Sequence, residues 1–246
     1  MKKTLIMMLC SLLVISSAAM GSVAYLTYTT DELINEFTVG DVTLKLDETL
    51  VDKYGDPVDE AGNAIAPGGE FVRTTQGNKY HLLPGESYVK DPTVTIDKNS
   101  EDSYVRLLVT VTKAKELDAL CKAMTKADPG KYPLGLPQDH AGGFNTAAWI
   151  YETESVDSVA NTVTYEFRYY DMAKKTDIVT PNGEDVVLPP LFESITVPNG
   201  LTGADLKTIK DFEIKVVANA IQAHGFANAD EAWAAFAPVT TAVVGE

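Results

Sequence analysis

The chain has 246 residues, with 35 acidic against 20 basic side chains and a formal net charge of −15. A charge of that sign repels nucleic acid and anionic membrane surfaces, which excludes non-specific binding to either. Its two cysteines are Cys10 and Cys121, too few for a disulfide framework, so stability has to come from a buried core.

In chain order, Lys2 and Lys3 precede an apolar run from Leu5 to Ala19, and small residues lead to Ser22-Val23-Ala24. This three-part pattern predicts a signal peptide over 1–24, cleaved between Ala24 and Tyr25, and hence a secreted chain. Membrane attachment is then confined to the uncleaved signal peptide. Removing Lys2 and Lys3 leaves 18 basic against 35 acidic residues, a net charge of −17 for the mature chain. Copies with that charge repel one another, so assembly requires specific contacts or bound cations.

Residues 25–36 read as an N-terminal arm. Tyr25, Leu26, Tyr28, Leu33 and Ile34, continuing to Phe37, supply apolar positions, while Asp31 and Glu32 interrupt them. From 37 to 246 the chain reads as one β-sandwich domain with an insert at about 52–79, rich in Gly, Pro and Asp. Phe37 and Val39 lie on odd positions but Val42, Leu44 and Leu46 on even ones, a slip that a β-bulge at Gly40-Asp41 reconciles. Short strands are predicted at Tyr80–Leu83, Val94–Ile96, Ala147–Tyr151 and Ser194–Val197. Three long strands follow from strict alternation. Val105, Leu107, Val109 and Val111 mark Tyr104–Thr112. Val163, Tyr165, Phe167 and Tyr169 mark Thr162–Tyr170. Phe212, Ile214, Val216, Ala218 and Ala220 mark Phe212–Ile221. Three short helices complete the pattern. One over Lys113–Met124 places Leu117, Leu120, Cys121 and Met124 on one apolar face, making Cys121 a buried small residue rather than a nucleophile. A second follows Thr202 and its partner Asp205, and a third over Asp230–Phe236 follows Asn228 and Glu231. No internal repeat is evident. The fold class is mostly β: a jelly-roll-like antiparallel β-sandwich with a few short peripheral helices.

The search for chemistry is largely negative. His81, His140 and His224 lie in three distant segments without the paired-histidine helix motif of metalloproteases. There is no Gly-x-Ser-x-Gly elbow and no phosphate loop. The acidic run Asp52 to Asn63 offers oxygen ligands near a calcium-loop spacing but fails the EF-hand pattern, so the expectation is no cofactor beyond weak calcium binding.

Three stretches carry a resemblance. Gly77-Asn78-Lys79-Tyr80-His81-Leu82-Leu83-Pro84-Gly85 is the first. Lys90-Asp91-Pro92-Thr93-Val94-Thr95-Ile96, running into Ser100-Glu101-Asp102-Ser103-Tyr104-Val105-Arg106, is the second. Ala220-Ile221-Gln222-Ala223-His224-Gly225-Phe226 before Ala232-Trp233 is the third. In this order, behind the small-residue signal exit and Asn35-Glu36-Phe37-Thr38-Val39-Gly40, they resemble the TasA and camelysin family of Gram-positive bacteria. The resemblance implies processing by the dedicated signal peptidase SipW, a jelly-roll sandwich, and a structural role in the extracellular matrix or at the cell surface. It also implies self-association or contact with other matrix proteins, with Tyr25, Leu26, Tyr28, Leu33, Ile34 and Phe37 as the segment that adds as a strand to the next subunit. Two alternatives are a camelysin-like surface metallopeptidase, for which no ligand motif can be matched, and a monomeric surface-binding module.

Overall fold

Alternation in the long apolar stretches does what it predicts. In the computed structural model, which describes residues 27–29, 42–66, 68–127 and 143–236, strand β6 (Ser103–Thr112) buries Val105, Leu107, Val109 and Val111. It pairs antiparallel with β8 (Thr162–Tyr169) on one side and β12 (Ile214–Gln222) on the other. Beyond β8 lies β7 (Trp149–Asp157), and beyond β12 lies β1 (Thr27–Thr29). A short β9 (Ile178–Val179) also pairs with β6 and completes this six-stranded sheet.

The second sheet has the order β10 (Val186–Val187), β5 (Thr93–Ile96), β2 (Leu44–Thr49) and β3 (Arg73–Thr74). A separate pair joins β4 (Ser87–Val89) to β11 (Ser194–Thr196). Every pairing is antiparallel. Leu44, Leu46, Val94 and Ile96 from the smaller sheet join Leu107, Val109, Phe167 and Ala218 from the larger one in a single apolar cluster. The chain is therefore the mostly β, antiparallel, sandwich-like fold that its sequence predicts, the larger sheet curling into a half-barrel.

Among the described residues, three helices sit at the periphery. In α1 (Ala114–Ala127), Leu117 and Leu120 are buried, while the side chains of Cys121 and Met124 lie outside the described residues. The helix starts one residue later than predicted because Lys113 is in the left-handed region, φ 57°. Helix α2 (Gly203–Thr208) opens with the full capping box of Thr202 and Asp205. Helix α3 (Ala229–Ala235) has Asn228 as its N-cap, accepting from the Glu231 N–H at 3.0 Å.

Helix α3 covers the outer face of the large sheet, where Tyr104, Ile221, Ala223, Ala232 and Trp233 form a second cluster. The Arg106 guanidinium lies beneath it, 4.4 Å from the Trp233 ring centre and 4.8 Å from that of Phe236. Its Nε donates to Asn219 Oδ1 at 3.1 Å, and Nη1 lies 3.4 Å from Glu166 Oε2. Arg106 and Arg168 are cross-strand partners, a repulsive juxtaposition relieved by Glu166, whose Oε1 accepts from Arg168 Nε at 2.8 Å.

Three predictions need correction. Tyr80–Leu83 is not a strand. The strand is β4, a few residues later, and the 80–83 segment is held as a loop because the Tyr88 hydroxyl accepts from Leu83 N–H and donates to His81 O. Strand β7 runs six residues past Tyr151, because Glu152–Asp157 are exposed and leave no alternation to read. The bulge expected at Gly40-Asp41 falls outside the described residues. Last, the insert contains a repeat that the sequence reading missed. Val51-Asp52-Lys-Tyr-Gly55-Asp56-Pro57 is followed by Val58-Asp59-Glu-Ala-Gly62-Asn63-Ala64.

The two heptads repeat their hydrogen bonds as well as their residues. Asp52 N–H donates to Asp56 O and Asp59 N–H to Asn63 O, each at 2.9 Å. Gly55 N–H reaches Asp52 O as Gly62 N–H reaches Asp59 O, and both glycines have φ near +85°, at 86° and 83°. Val58 N–H donates to Leu50 O and Ile65 N–H to Pro57 O, closing each coil on the one before.

Candidate functional site in the cleft between β2 and β12

Strand β2 begins as a regular strand and then departs from alternation. Leu44 and Leu46 face the core, yet Asp47, Glu48 and Thr49 are all buried too. Buried charges need partners, and the segments that follow β3 and β4 supply them. Glu48 Oε2 accepts from Lys90 Nζ at 2.7 Å, the two side chains being 3% and 8% exposed. Glu48 Oε1 accepts from Asn78 Nδ2 at 2.9 Å and from the Asn78 backbone N–H at 3.2 Å. The Asn78 amide is itself fixed, since Nδ2 also donates to Thr49 O at 2.8 Å and Oδ1 accepts from Val51 N–H at 3.1 Å.

A second network pins the neighbouring strand. Arg73 Nε donates to Asp47 Oδ1 at 2.9 Å, Nη1 bonds Asp91 Oδ2, and Nη2 reaches the carbonyls of Asp47 and Asp91. Asp91 also accepts from the Thr49 N–H at 2.6 Å and the Thr49 hydroxyl at 2.8 Å. Lys45 Nζ lies 2.7 Å from Asp47 Oδ2, so the two carboxylates are balanced by Arg73 and Lys45.

Above Glu48 opens a cleft of about 960 Å³, at the large end of ordinary ligand sites. One wall is the 77–84 loop with Tyr80, Leu82 and Leu83. The other is α2 with the start of β12, presenting Leu206, Phe212, Ile214 and Val216. Tyr80 donates its hydroxyl to Val89 O at 3.0 Å. Burial, and then the charges of Glu48 and Asp91, push its phenol pKa well above the ordinary value. Lys79, Lys207 and Lys210 stand exposed around the mouth, and Lys215 is half-buried beside it. Asp211 lies 3.9 Å from Lys210 and Glu213 3.3 Å from Lys215, so on a body of net charge −15 the rim is a mixed one in which the lysines are matched by acidic neighbours.

The wall formed by β12 has one further property. Strand β1 pairs with Asn219, Ala220 and Ile221 only. Among the described residues, β1 reaches no further along β12 than Asn219. An extended segment that adds at this edge takes backbone hydrogen bonds from it, as β1 does.

Of the arm residues singled out in the sequence, Tyr28 lies in β1 opposite Ala220. Ala24, Tyr25, Leu26, Leu33, Ile34 and Phe37 fall outside the described residues. Of the described histidines, His81 stands edge-on to Tyr54 with ring centres 6.4 Å apart, and His224 follows β12, its carbonyl accepting from Gln222. His140 is not described. Among the described residues, no three His, Cys, Asp or Glu side chains are grouped to hold a metal ion. The aspartates that suggested a calcium loop turn towards their own backbone: Asp52 Oδ1 accepts from Tyr54 and Asp56 N–H, and Asp59 Oδ1 from Ala61 and Asn63 N–H.

The Glu48, Asn78 and Lys90 cluster was missed as a site. Its signal was present in the Gly77–Gly85 and Lys90-Asp91 motifs, which carry the resemblance but suggest no role for themselves. Comparison of the chain with protein-family models, with curated proteins and with solved structures gives no match in any of the three.

Proposed function

We propose that the mature chain is a secreted structural protein of the extracellular matrix or cell surface that assembles by N-terminal strand addition. The observation that supports this reading is the antiparallel pairing of three residues of the arm, Thr27–Thr29, with β12, the strand whose start lines the cleft. In the assembled state, the arm of one copy extends along this edge in the next. Asp31, Glu32 and Glu36, which weaken the arm as an ordinary apolar strand, become an asset there, because the arm contains no basic residue and the cleft mouth carries Lys79 and Lys207. Backbone pairing supplies affinity and the charge match supplies selectivity.

The test compares the chain beginning at Tyr25 with one lacking residues 25–36, by electron microscopy and sedimentation. Fibres or oligomers are expected from the longer chain only, and more readily at low pH, where carboxylate repulsion fades. If both stay monomeric at high concentration and low pH, the reading is wrong. Chelator-sensitive cleavage of casein by the longer chain would favour a surface metallopeptidase instead.

A further inference from the structure

We propose that Lys90 and Asn78 become joined by a spontaneous intramolecular isopeptide bond, with Glu48 carrying the proton between them. The two groups bind opposite oxygens of one buried carboxylate, Lys90 Nζ at 2.7 Å from Oε2 and Asn78 Nδ2 at 2.9 Å from Oε1. The electrophile is oriented as well, since Val51 N–H donates to Asn78 Oδ1 at 3.1 Å, where negative charge develops as the carbonyl is attacked. This is the arrangement of reactants: a nucleophile, a base that reaches both nitrogens, and an oxyanion donor, held in a fixed site.

The step balances without a co-reactant. Glu48 takes one proton from the Lys90 ammonium, and the freed amine attacks Asn78 Cγ. Glu48 then returns that proton to Nδ2, the Cγ–Nδ2 bond breaks, and ammonia departs with the second lysine proton as ammonium. A secondary amide remains and Glu48 is again a carboxylate. Burial of Lys90 and Glu48 favours the exchange by making separated charges costly to keep. The bond closes the 78–90 loop, which is already stitched by Tyr80 to Val89 O and by Tyr88 to His81 O. Its formation is independent of assembly.

The experiment is intact-mass and peptide mass spectrometry of the folded chain beginning at Tyr25. The expected mass is lower than the sequence mass by one ammonia. Trypsin is expected to fail at Lys90, giving a branched product in which Thr74–Lys79 is linked to Tyr80–Lys98 through Asn78 and Lys90. Glu48→Gln and Lys90→Arg, each retaining the size of the side chain, should restore the full mass and lose the branch. A folded wild-type chain at full mass would refute the proposal and leave a permanent ion pair. So would loss of ammonia with Lys90 still cleavable, which marks succinimide formation at Asn78.

Discussion

Arg106 is where the outer face of the large sheet is most exposed to a single substitution. Replacing it with alanine removes the cation from beneath Trp233 and Phe236, at 4.4 and 4.8 Å, an interaction worth about 2 kcal/mol when desolvated. It also strands Asn219, whose side chain is 1% exposed and whose Oδ1 accepts from Arg106 Nε; an unsatisfied buried acceptor costs about 1–3 kcal/mol. Glu166 keeps Arg168 at 2.8 Å, so no further charge is orphaned. The expected loss is about 3–5 kcal/mol, read as a fall of roughly 1–2 M in the urea midpoint followed by tryptophan fluorescence and circular dichroism. Trp233→Ala should be strongly non-additive with Arg106→Ala, since each removes the other's partner. Trp233→Phe should cost far less, because the indole N–H is buried without a hydrogen-bond partner among the described residues. If Arg106→Ala costs less than about 1 kcal/mol, the stack does not hold α3 to the sheet and the reasoning fails.

The two heptads of the insert provide a matched pair of substitutions. A Cβ on Gly55 would lie 2.6 Å from the Tyr88 backbone, whereas one on Gly62 meets nothing within 4 Å, and both residues have positive φ. Gly62→Ala should cost only the left-handed strain of about 1–2 kcal/mol, and Gly55→Ala visibly more, with β4 displaced; equal melting temperatures for the two would contradict this packing. Asp59, Asp157, Asp171 and Asp205 each have a pKa lowered chiefly by hydrogen bonds they accept, the first three from the turns they start, led by Asn63, Ala160 and Lys174, and Asp205 from the N-cap Thr202. Because folding depresses these pKa values, their contribution is present above the ordinary aspartate value and lost as pH falls through the lower folded values. Asp157→Ala should therefore lower the melting temperature near neutral pH and have progressively less effect as pH falls below the ordinary aspartate value; an equal effect at both ends would contradict the assignment.

The parts of this fold that could be read from sequence are those in which one face is dry and the other wet. Strands β6, β8 and β12 declare themselves because Leu107, Phe167 and Ala218 alternate with residues that remain outside the main core. The end of β7 does not, because Glu152 to Asp157 are exposed throughout and their strand pairing depends on β8. The caps of α2 and α3 were legible, since Thr202 with Asp205 and Asn228 with Glu231 act within a single turn. The polar cluster was opaque for the opposite reason. Glu48, Asn78 and Lys90 look like surface residues one at a time, and only chain segments far apart in sequence bring them under cover together. The heptads show a third case, in which the signal lay in seven-residue spacing and was hidden by different fillings, Lys-Tyr in one copy and Glu-Ala in the other.

Those heptads also have a consequence for how this region can change. Each coil satisfies its own aspartate and closes on the preceding coil through one backbone bond, while Val51 and Val58 are buried at equivalent positions. Duplication or deletion of a whole unit therefore leaves β2 and Arg73 undisturbed, whereas a change of any other length throws the valines out of phase. Length variation at this spot should come in sevens.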